Sequence, residues 1–79
     1  MQLINGNFSS SDALDLVTQM THVKIKFLEA KINKEHNEED LKVRERRIIE
    51  LQRDLYETRN FLTKVSGNIN VHAEIILTT

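Results

Sequence analysis

From Ala13 to Ala30 the apolar residues return in alternating steps of three and four: Ala13, Leu16, Met20, Val23, Phe27, Ala30. That spacing predicts an amphipathic helix carrying one narrow apolar seam. A second line, Leu14, Ile25, Leu28 and Ile32, runs beside it, with Val17 between the two. At about 100° per residue the two lines together span an arc of roughly 220°, and one neighbouring helix needs only about 100° of it. The excess predicts two contact surfaces on this helix. Leu16, Met20, Val23 and Phe27 are assigned to the partner helix of the same chain. Leu14, Ile25, Leu28 and Ile32 are assigned to a second copy.

Start signals agree with a helix from about residue 10 to 33. Ser9 is placed to cap the first free backbone donors, with Asp12 three residues on, and Asp15 adds negative charge near the positive end of the helix dipole. The polar stretch 33–37 has the length of a helix connection. It contains no glycine or proline, so a single continuous helix also fits the pattern. Asn37 is placed to cap a second helix, about 38–65, whose first turn is loaded with Glu38, Glu39 and Asp40. Along it Leu41, Ile48, Leu55 and Leu62 repeat every seven residues, with Leu51 and Val65 at the companion position and Arg44 and Thr58 filling the rest. Sustained sevenfold spacing argues for a paired helix. Ile49 and Tyr56 widen the apolar face.

The period changes after Ser66-Gly67-Asn68, where glycine supplies a helix stop. Ile69, Val71, Ala73, Ile75 and Leu77 alternate with polar or outward residues, the pattern of a half-buried strand over about 69–78. Residues 2–8 form a weaker strand around Gly6. An antiparallel helical hairpin brings both strands to the same end. The fold class predicted is therefore mainly α: an antiparallel helical hairpin with short terminal strands, β-α-α-β, in one domain over residues 1–79.

Size sharpens the assembly argument. A 79-residue chain hides only about 60 % of its unfolded surface, and small folds of this kind lean on disulfides, metals or partner subunits. Cysteine is absent, which removes the disulfide and the thiolate metal site. A partner subunit remains, and the expected form is a homodimer closing into a four-helix bundle. Its self-association residues are Leu14, Ile25, Leu28, Ile32, Ile49 and Tyr56 on the helices and Ile69, Val71, Ile75 and Leu77 on the last strand.

Charge narrows the function. Eleven Lys and Arg stand against twelve Asp and Glu, without the positive excess on which free-standing nucleic-acid binders rely. Lys42, Arg44, Arg46, Arg47 and Arg53 are the candidate anion or nucleic-acid contacts, but Glu45, Glu50 and Asp54 interleave with them. Arg44 stands out because it occupies an apolar seam, where a stem packs while its head seeks water, Asp40 or an anion. His22, His36 and His72 fall on a helix, a connection and a strand, with no spacing that shares a metal; His36 beside Glu38 and Glu39 comes nearest. No glycine-rich phosphate loop is present, and Ser9, Ser10, Ser11 and Ser66 read as cap and loop residues. No catalytic site, cofactor or small-molecule ligand is expected.

No apolar run approaches the ~20 residues that span a bilayer. Met1 to Ser10 lacks the pattern of a secretory leader, so the expected address is the cytoplasm. The function expected is a small interaction or scaffold module acting as a homo-oligomeric helical bundle, with a protein partner on a helix face or along the terminal strand. Two alternatives stand beside it: a nucleic-acid-associated regulator using the basic face of the second helix, and an enzyme whose site forms between subunits.

Overall fold

The computed structural model describes residues 1–34 and 36–79. Glu35, inside the expected connection, lies outside the described residues. Four elements follow in order: β1 (Gln2–Ser9), α1 (Ser10–Lys34), α2 (Glu38–Lys64) and β2 (Asn68–Glu74). The β-α-α-β order and the antiparallel terminal strands are those expected from the pattern. The helices are separate, so the continuous-helix alternative is excluded.

Local chemistry sets the boundaries. The Ser9 hydroxyl accepts from the Asp12 amide at 3.1 Å and opens α1. The Asn37 side chain accepts from the Glu39 and Asp40 amides at 2.9 and 3.4 Å and opens α2. Asn37 itself has extended backbone (φ −93°, ψ 119°), which turns the chain out of α1 without glycine or proline. Asn37→Ala removes that acceptor, and the expected cost is about 1 kcal/mol of stability, read as a lower urea midpoint with an unchanged slope. At the other end of α2 the chain leaves through Gly67, whose φ of +93° suits a residue without Cβ.

β1 and β2 pair antiparallel, with Phe8 opposite Ile69, Gly6 opposite Val71 and Ile4 opposite Ala73. These six make the half-buried face of the sheet, while Asn5, Asn7, Asn70, His72 and Glu74 point outward. Gly6 leaves room for the Phe8 ring: a Cβ there would lie 3.4 Å from Phe8 Cε2. β2 stops at Glu74 and not near residue 78. Met1 is the last residue to answer it, accepting from the Ile75 amide at 2.9 Å and donating its amino group to the Ile75 carbonyl at 2.7 Å. The sheet packs on α1 and not on α2.

The chain is thinly covered. Its Cα extents are 47 × 31 × 14 Å, so the short dimension is little more than one helix thick. Its radius of gyration of 15.1 Å exceeds the ~11.6 Å of a compact domain of this length. Four side chains form the buried core: Ala13, Ile25, Leu28 and Leu62.

Candidate functional site

Helix α1 presents its two apolar lines on nearly opposite sides, and the line it turns toward α2 is the one assigned from sequence to a second copy. Ile25 and Leu28 are buried, and Leu14 and Ile32 are half-buried. Ile25 shares a groove wall with Leu55, and Leu14 shares another with Leu62 and Val65. The other line, expected to hold the hairpin, is the outer one. Val23 and Phe27 remain 69 % and 54 % exposed, Met20 38 %, and only Leu16 is half-buried. The hairpin is therefore held by the inner line, and Met20, Val23 and Phe27 do not take the contact with α2 expected of them.

The reason lies in two threonines. Thr18 and Thr21 complete the inner line into an unbroken three–four series, Leu14, Thr18, Thr21, Ile25, Leu28, Ile32, and both are half-buried. The Thr21 hydroxyl donates to the Val17 carbonyl at 2.8 Å within its own helix. Bonded that way, the side chain offers its methyl to the contact and leaves no donor stranded. On α2, Thr58 does the same toward the Asp54 carbonyl, also at 2.8 Å. Counting threonine as polar made the inner line look broken and the outer one continuous. The three–four spacing that the two threonines complete was the readable signal.

α2 keeps the face expected of it: Leu41, Ile48, Leu51, Leu55 and Val65 are half-buried and Leu62 is buried. Arg44 belongs to that face. Its guanidinium donates to the Lys31 carbonyl across the hairpin at 3.3 Å, meeting the last turn of α1 where orphan carbonyls collect. That bond joins the two helices.

The five basic residues do not converge. Arg44 turns inward, and Arg47 pairs with Glu50 at 3.1 Å, both half exposed. Lys42, Arg46 and Arg53, four and seven residues apart in turn, lie exposed on one outer face of α2. Among the described residues no group of three His, Asp or Glu is placed to hold a metal.

One flank of the hairpin carries an open groove of about 550 Å³. Ile25 and Leu55 line it together with His22, Lys26, Glu29, Gln52, Tyr56 and Arg59. Its lining is of mixed charge and its mouth is wide. Tyr56 and Ile49, expected at an interface, are 64 % and 55 % exposed. Ile69 and Val71 are half-buried in the sheet face, whereas Ile75 and Leu77 are exposed beyond its end, with Ile76 beside them. What the molecule offers is therefore apolar surface without a cover: the Met20–Val23–Phe27 stripe, the Ile49–Tyr56 line, Phe61 and the tail at 75–77.

No described helix is long and apolar enough to cross a membrane. Comparison with protein-family models, curated proteins and solved structures finds no match to this chain.

Proposed function

We propose that this chain is a protein-interaction module that works as a homodimer of helical hairpins, a small scaffold and not a catalyst. The observation that carries the reading is surface area. The chain exposes 6382 Å², whereas a folded monomer of its 9.2 kDa mass exposes about 4,900 Å². An excess of that order from each of two copies falls in the range of obligate dimer interfaces, roughly 2,000–5,000 Å² in total. Among the large apolar side chains left open, Met20, Val23 and Phe27 lie in one helical stripe. A four-helix arrangement of two hairpins covers such a stripe, and the pairing of terminal strands or the tail at 75–77 supplies a further contact.

Co-expression of two differently tagged copies tests the reading. Capture of one tag should bring down the other at about half its own amount, the share that random pairing into dimers gives. Recovery of one tag alone at micromolar protein rules the homodimer out. Cytoplasmic residence belongs to the same proposal and is read directly from the distribution of a tagged copy.

A further inference from the structure

The two-copy reading leaves open which face meets which, and the charge order along α1 decides it. We infer that the outer stripe of α1 packs antiparallel against the same stripe of a second copy, about a two-fold axis between Met20 and Val23.

Three observations carry this orientation. The stripe Leu16, Met20, Val23, Phe27 keeps strict three–four spacing and faces away from α2, so nothing within the chain closes its C-terminal half. Such a seam is complementary to itself when the helices run antiparallel, each three-step meeting a four-step of the other copy. Met20 then lies opposite Val23, and Leu16 opposite Phe27.

Charge selects that direction over the parallel one. The first turns of α1 carry Asp12 and Asp15, while its later part carries Lys24, Lys26, Lys31 and Lys34 against Glu29 alone. Antiparallel packing sets the acidic beginning of one helix beside the basic end of the other, with Lys26 near Asp15 of the second copy. Parallel packing sets Lys26 of one copy against Lys31 of the other, a like-charge contact on the seam edge.

Lysine also frames the aromatic of the bare part. The Lys24 and Lys31 ammonium groups stand 5.3 and 5.5 Å from the Phe27 ring centroid, over its π face. Their stems extend the apolar strip on either side of the ring, while the charged heads reach its rim. An aromatic with a charged rim is the anatomy of an interface anchor.

The inference rests on the homodimer proposed above, and its test separates the two. The chain has no cysteine, so an introduced thiol is the only one present. Gln19→Cys and Lys26→Cys are purified separately, then treated with a short bismaleimide alone and mixed. Covalent dimer in the mixture and little in either variant alone is the expected result, because residue 19 of one copy lies beside residue 26 of the other. Covalent dimer from either variant alone at a yield comparable to the mixture overturns the inference. A dimeric mass with no crosslink in any arm places the interface elsewhere and overturns it too. Monomeric mass defeats the homodimer itself. As a second arm, Phe27→Asp should weaken self-association about 100-fold with the helical circular-dichroism signal retained, since its side chain touches little within the chain. Unchanged self-association in that variant also overturns the inference.

Discussion

Leu28→Glu is expected to abolish the cooperative thermal transition and to cut the helical signal at 25 °C to that of a largely unfolded chain. Leu28 is 8 % exposed on the inner line of α1, one of four side chains that make up the core. Truncating a buried leucine costs about 2–5 kcal/mol. A carboxylate at the same place adds the desolvation of an unpaired charge or of the protonated acid. A chain of 79 residues has, at the general rate per residue, about 4–12 kcal/mol of net stability, so the sum consumes most or all of it. Arg53→Glu, on an exposed outer face of α2, is the control and should shift the midpoint little. A folded Leu28→Glu chain with a normal midpoint would mean that the inner line does not carry the hairpin.

That residue also marks what could be read from sequence. The helices, their caps at Ser9 and Asn37 and the terminal strands were legible, because each rests on chemistry confined to a few neighbouring residues; the end of α2 was not, since Val65 already turns extended two residues before the expected stop at Gly67. The face of α2 was legible too, since Leu41, Ile48, Leu55 and Leu62 admit one seam. The rotation of α1 was not. Two lines of similar hydrophobicity competed, and the difference depended on whether threonine counts as apolar. A hydroxyl returned to its own helix settles that question, and pattern alone does not record it. Arg44 was legible as an anomaly in the seam but not as the donor to the Lys31 carbonyl, because that bond depends on how far the helices overlap. The candidate interface inherited the same ambiguity: its amount of apolar surface was visible in the sequence, its location on Val23 and Phe27 was not.

Leu62→Ala has the second largest expected effect, about 2–5 kcal/mol, read as a fall in the urea midpoint. Leu62 is 5 % exposed and is the sole buried residue of α2. It sits where the hairpin opens toward the strands, sharing a wall with Leu14 and Val65. A cavity there loosens both the helical contact and the exit of the chain toward Gly67. Leu55→Ala, half-buried in the middle of the same seam, should cost less, because part of its surface is already wet. Equal losses at the two positions would show that the hairpin is stabilised uniformly along its length and not at its open end.

Sedimentation equilibrium of the unmodified chain, run across a hundredfold range of concentration, tests the central claim most directly. The account predicts a mass twice that of the 9.2 kDa chain, falling toward one chain only at the lowest concentrations. A well-folded 9.2 kDa species at every concentration would contradict it, because the exposed stripe on α1 would then need no cover.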